Sequence, residues 1–440
     1  MRPLKRSLSG VEIEVHTLDK RGYISNKADT IVSECKKHEK NISVIKEYPN
    51  TIEIQSYPSV KVQNTILNAL ESFQILIEIA TRNDIVLYPL SVYPGSFNVQ
   101  NINTFTPYYK FKKIYIHNKM VSCPEENTAA FHYHYTLPRG VFDHKKKFLK
   151  FQMAPKIKQT LLDSYNMAIA MDPALITLSQ SSPLLNGKYV AKDCRALITR
   201  TGKYLPFDGL YSRHPTFGGL PIYKHTVSDL IHTINRRYEK INEIWEKNNI
   251  DSSAMKKKGV LSFSWHTVRI NKIGTLEQRT MDMNHPKYVI AGTVLMKYIN
   301  KKIQQDFLRV VPSDIGINEP FKEEGGIVHI PPHTHLRKKL QRWSICDGFE
   351  NKEVRNYTRK FFRFGKRCTH PKFYNAIRPL ENMINRNKSV SDMILKRLKK
   401  WGYGRDDHVP DDVCAKLALT SCKQLYKEIE KTKKNIVDIE

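Results

Sequence analysis

GVEIEV at residues 10–15 alternates acidic and apolar side chains. Successive side chains of a strand point to opposite faces, so Glu12 and Glu14 share one face and Val11, Ile13 and Val15 the other. Three further stretches repeat the device. TIEIQ at 51–55 sets Glu53 against Ile52 and Ile54, and FHYHY at 131–135 sets His132 and His134 against Phe131, Tyr133 and Tyr135. TLEQRT at 275–280 places Glu277 and Arg279 on one face. Solvated strand faces ordinarily carry Lys, Thr and Gln. Lysine is the commonest charged residue of this chain, yet it is missing from these acidic and imidazole positions.

If the four strands share a sheet, one face holds at least four carboxylates and two imidazoles. Carboxylates crowded in this way repel, and their pKa values rise unless cations sit among them. Hard carboxylate oxygens suit Mg²⁺ or Mn²⁺, ions commonly shared with nucleotide phosphates. Arginine adjoining such a group suggests phosphoryl chemistry, because its guanidinium can clamp phosphate or carboxylate through two parallel bonds.

Between the strands, apolar residues recur at helical spacing over 61–81, 157–171 and 226–247. A further helix is expected over 286–306, opened by Pro286 with Asn284 as its cap. The stretch 178–224 is rich in Ser, Pro and Gly and reads as extended loops able to close over a site. From about residue 330 the chain becomes helical and strongly basic. Strands and helices mixed without strict βαβ order predict an α+β fold with a largely antiparallel sheet. The expected organisation is a catalytic core over 1–306, with a basic helical part over 307–440 packed on the same domain.

Seventy-two Lys and Arg against 43 Asp and Glu give a net charge of +29. Such a field attracts polyanions, and basic helices interleaved with Trp343, Tyr357, Phe361, Phe362, Trp401 and Tyr403 keep a nucleic-acid-binding reading open. No zinc-finger, KH or RRM signature supports that reading. The seven cysteines form no CxxC pair, so neither a zinc ribbon nor a redox motif is expected, and they read as reduced thiols. No apolar run approaches the roughly 20 residues of a membrane span, and no secretory leader is evident, so a cytoplasmic location is expected.

The acidic and imidazole strands also resemble, in order, those of type 2 glutamate–cysteine ligases and related carboxylate–amine ligases. GVEIE at 10–14 resembles the opening G-x-E-x-E strand, NTIEIQSYPS at 50–59 the next acidic strand, and HYHYTLP at 132–138 the H-x-H strand. ALITLSQSSPLLNG at 174–187 is similar to a Ser-Pro-Gly run followed by an arginine, here Arg195. HTVRINKIGTLEQRTMD at 266–282 resembles a segment with an Arg, a Gly-Thr and an E-x-R. Two departures stand out: Thr136, Leu137 and Pro138 follow the H-x-H where a small residue is usual, and Thr267 stands where an acid usually precedes the Arg.

This resemblance implies a glutamine synthetase/guanido kinase-like fold, with metals and nucleotide on the concave face of a curved sheet and helices on its convex face. It implies Glu12, Glu14, Glu53, His132 and Glu277 as metal ligands, with Glu47 as a further candidate. His134, Arg269 and Arg279 would face the nucleotide, the two arginines acting in phosphoryl transfer, and Arg195 would pair with the acid substrate. The implied cofactors are ATP and Mg²⁺, with Mn²⁺ an alternative, and the implied substrates are glutamate, or another acid, and an amine such as cysteine.

Overall fold

The computed structural model describes residues 7–40, 42–97, 127–200, 205, 209–211 and 215–437. Seven strands form the main sheet: β1 (Ser9–Asp19), β2 (Ser43–Tyr48), β3 (Thr51–Gln55), β4 (Ile85–Tyr88), β5 (Ala130–Thr136), β6 (Val268–Asn271) and β7 (Thr275–Asp282). Their order is β6-β7-β5-β1-β3-β2, and β4 pairs with the end of β1 beyond β5. Every pairing in this sheet is antiparallel.

Register decides which side chains share a face, because residues paired across antiparallel strands point the same way. Glu12 pairs with His132 on one side and Gln55 on the other, and Glu14 pairs with Glu53. His134 pairs with Glu277, and Glu277 with Arg269. One extra residue in β7 between Gln278 and Met281 makes a bulge, which shifts Arg279 and Thr280 out of simple alternation.

The opposite face is apolar and covered. The principal helices are α1 (Val62–Arg82), α2 (Pro155–Ala170), α3 (Val227–Lys247) and α4 (Pro286–Asp306). Val11 and Ile13 meet Ile66 and Phe73 of α1 and Val289 and Ile290 of α4 in one apolar space. Ile52, Ile54 and Tyr133 are buried as well. Each such aliphatic or aromatic side chain contributes roughly 1.5–3 kcal/mol by leaving water, which fixes the register and so the polar face.

Two local expectations differ from the structure. Pro286 does open α4, where its missing N–H costs nothing. Asn284, however, is not the cap. That position belongs to His285, while the Asn284 amide accepts from His285 N–H at 2.8 Å and donates to Ser179 O at 2.8 Å. The stretch 178–224 is not simply loop. A helix (Asp172–Ser179) runs into it, Leu184–Leu185 and Lys188–Tyr189 form a small hairpin, and Cys194–Thr199 is helical. The hairpin turns on Asn186 and Gly187, at φ 49° and 73°, the Asn-Gly turn chemistry that sequence patterning passed over. Residues 201–204, 206–208 and 212–214 lie outside the described residues, as does Cys123, so a closing loop is described only in part. The other six cysteines are free thiols.

Beyond α4 a three-stranded sheet (Arg309–Pro312, Glu323–Glu324, Ile327–Ile330) leads to four helices. These are α5 (Lys352–Cys368), α6 (Tyr374–Arg386), α7 (Val390–Lys400) and α8 (Asp411–Val437). Tyr357, Phe361 and Phe364 of α5 pack around Phe321 with ring centroids 5.1, 5.4 and 6.0 Å away. Tyr357, Phe361 and Phe362 are therefore core side chains, closed to the base stacking that a nucleic-acid-binding reading asks of them. Among the described residues no helix is long and apolar enough to cross a membrane.

Candidate active site

The central strands bring the acidic and imidazole side chains together. Glu12 lies between the two histidines: His132 Nδ1 is 3.1 Å from its Oε2 and His134 Nε2 is 3.2 Å from its Oε1. His132 Nε2 is 4.0 Å from Glu14 Oε1 and, though buried, has no hydrogen-bond partner. Glu12, His132 and Glu277 offer ligand atoms all within 4.8 Å of one another, and so do Glu14, Glu53 and His132. The five residues expected at a metal site thus form two triads that meet at His132. Glu47 is exposed, and its charge reaches Glu14 and Glu53.

Electrostatics divides the carboxylates into two kinds. Burial pushes Glu12 up, but hydrogen bonds with His132 and His134 more than offset this and hold it well below the usual carboxylate range. Burial also opposes ionisation of Glu277, and there the charges of Arg269 and Arg279 win. Glu14 and Glu53 lack such help. Burial and then the charge of Glu47 push Glu14 up to about 8, against the opposing pull of Arg195. Burial and the charges of Glu12, Glu14 and Glu47 raise Glu53 well above its ordinary value. Burial, with the charge of Arg279, lowers His132 to about 4, so its imidazole is neutral and able to ligate.

Arg269 clamps Glu277 with two bonds, Nε at 2.6 Å and Nη2 at 3.0 Å, and Arg279 donates a third. Asn271 Nδ2 adds a fourth at 2.6 Å. Both arginines are therefore paired with Glu277 here. His134, expected at the nucleotide, lies among the carboxylates, with its Nδ1 2.9 Å from Thr275 Oγ1. Arg195 donates to the carbonyls of Thr280 at 3.1 Å and Arg279 at 3.0 Å, holding the bulge with two of its five N–H donors.

Sequence reasoning missed several partners. Gln55 Nε2 donates to Glu53 at 2.7 Å and the Ala130 N–H to Glu14 at 2.6 Å. Asn271 was legible as the i+2 neighbour of Arg269 on one strand face, and Gln55 as the i+2 neighbour of Glu53. Asp282 was not legible as a structural hub: its Oδ2 receives Ser182 Oγ at 2.6 Å and Ser181 N–H at 3.1 Å, fastening the Ser-Pro segment to the end of β7.

The donor set suits a hard divalent cation. It consists of carboxylate oxygens with one neutral imidazole nitrogen left unbonded, and two of its acids, Glu14 and Glu53, are raised in pKa by burial and by neighbouring carboxylates. The fold that carries this site is shared with known proteins. Two solved structures show it across nearly the whole chain. A bifunctional glutathione synthetase from Pasteurella multocida matches with TM-score 0.57 and 12% identity, covering 96% of this chain and 53% of that one. The chain therefore spans about half the length of that enzyme. Glutamate–cysteine ligase of Francisella tularensis, solved with AMP, matches with TM-score 0.56 and 12% identity, covering 99% and 93%. No family model and no curated protein matches the sequence.

Proposed function

We propose that this chain is an ATP-dependent carboxylate–amine ligase, with glutamate as the acid and cysteine as the first choice of amine. The observation that carries the proposal is the single sheet face on which Glu12, Glu14, Glu53, His132 and Glu277 form two ligand triads beside Arg269 and Arg279. The shared fold supports it.

A free carboxylate is a poor electrophile. Transfer of the γ-phosphoryl group of ATP to it, with release of ADP, forms an acyl phosphate. The amine nitrogen then attacks the acyl carbon, phosphate leaves, and the amine proton is lost. Phosphoryl transfer is catalysed chiefly by positioning and charge neutralisation. Glu14, Glu53 and His132 would hold one Mg²⁺, or Mn²⁺, and Glu12 with Glu277 another, supplying the charge that draws the phosphates in.

Arg269 and Arg279 would exchange part of their bonding to Glu277 for the anionic oxygens of the transferring group. The buried base of Glu277 keeps both guanidinium groups oriented before substrate arrives. Arg195, anchored on the bulge carbonyls by two donors, would present its remaining donors to the acid substrate. The part of 178–224 fastened through Asp282 would wall that side of the site and keep water from the acyl phosphate.

The test is ADP release with Mg²⁺, glutamate and a panel of amines, with amide formed in equal amount. Glu12→Gln should abolish turnover while the protein stays folded. If no acid–amine pair in a broad panel stimulates ATP turnover, the ligase reading fails.

A further inference from the structure

A second site lies away from the acidic face, where α7 meets the turn at 403–405 and the buried Lys192. We infer that this cleft binds a small polyphosphate-type anion, an inorganic di- or triphosphate or the phosphate groups of a small metabolite. It has a volume of about 540 Å³, within the range of small-molecule sites.

The argument is one of charge left over after internal pairing. Two acids line the cleft, Glu350 and Asp392. Lys192, 1% exposed, bonds Glu350 at 2.7 Å and also bonds Asp392. Arg405 takes both oxygens of Glu350. The remaining Asp392 oxygen receives the Ser389 N–H at 2.7 Å and hydroxyl at 2.9 Å as the helix cap. All four carboxylate oxygens are thus committed, and they neutralise the buried Lys192 and the exposed Arg405.

Three more ammonium groups line the same cleft: Lys388, Lys396 and Lys399. None of them has an ion-pair partner among the described residues. Lys396 and Lys399 sit on the face of α7 that carries Asp392, about one and two turns further on. The helix dipole favours Lys399 at the C-terminal end, but it disfavours Lys388, which stands just before the N-cap Ser389. A cation at the positive end of a helix, converging with two others on one cleft, is favourable when an anion of high charge density lies between them. Lysine binds phosphate as a point charge, and the open cleft has room for a small anion beside the three exposed lysines.

The experiment is calorimetric titration of tripolyphosphate into the full chain in EDTA, where a metal-dependent seat at the acidic face is not available. The expected result is saturable one-site binding whose dissociation constant rises at least ten-fold in the Lys388→Ala/Lys396→Ala/Lys399→Ala variant. The control Lys145→Ala/Lys146→Ala/Lys150→Ala, which removes the same charge elsewhere, should bind as the parent does. Replacing the three cleft lysines with arginine should retain binding, which guards against a folding defect in the alanine variant. Equal weakening in both alanine triples would reduce the effect to net charge and overturn the proposal. So would a single-stranded oligonucleotide that binds more tightly than tripolyphosphate and loses affinity in the cleft variant, since the cleft would then belong to a nucleic-acid surface.

Discussion

Glu14→Gln is expected to stabilise the metal-free protein at alkaline pH while removing its response to Mg²⁺. Glu14 is raised from 4.5 in the unfolded chain to about 8 in the fold, chiefly by burial. A raised folded-state value means that the native protein holds a proton which the unfolded chain has released. The associated stability is fully present below about pH 4.5 and is lost as pH rises towards 8. At about 1.4 kcal/mol per pH unit, the parent loses on the order of 4 kcal/mol across that window relative to a glutamine that never ionises. Buried histidines also titrate there, but they are common to both proteins and cancel in the difference. Unfolding entropy of about 2 cal/mol/K per residue, taken over 440 residues, converts this to ~4 °C. Thermal unfolding in EDTA from pH 4.5 to 8 should therefore show the variant gaining about 4 °C on the parent. At pH 8, Mg²⁺ at a hundred times its dissociation constant should return about 2.7 kcal/mol to the parent, and markedly less to the variant. A difference that stays flat with pH, or equal stabilisation of both proteins by Mg²⁺, would refute the crowded-carboxylate account.

The opposite sign is expected on the other side of the site. Arg269→Ala leaves Glu277, fully buried, with only Arg279 and Asn271, and should cost roughly 3 kcal/mol, read as a fall in melting temperature at neutral pH. Glu277→Gln should likewise destabilise, because it strips two guanidinium groups of their counterion; a stability gain like that of Glu14→Gln would sink the distinction between paired and crowded acids. Arg195→Ala should raise KM for the acid substrate at least ten-fold and leave KM for ATP nearly unchanged, measured by ADP release. A loss confined to kcat would instead assign Arg195 to holding the bulge alone.

Strand alternation by itself determined which side chains could stand together. A two-residue period forces Glu12 with Glu14, His132 with His134 and Glu277 with its neighbours onto single faces, and the apolar alternates onto the other. The helices over 62–82, 227–247 and 286–306 were equally legible, since a 3.6-residue apolar period has few other solutions. Which faces meet was not legible. Contacts spanning up to 265 positions (Glu12 to Glu277, 277 − 12) depend on strand order and register, set by burial of the opposite face against α1 and α4. The same holds for the bulge in β7 whose carbonyls Arg195 holds, for Asp282 gathering the Ser-Pro segment, and for the aromatics of α5 closing on Phe321 instead of facing solvent. Local sequence records the direction in which each side chain points, but the partner it finds is a property of long-range packing.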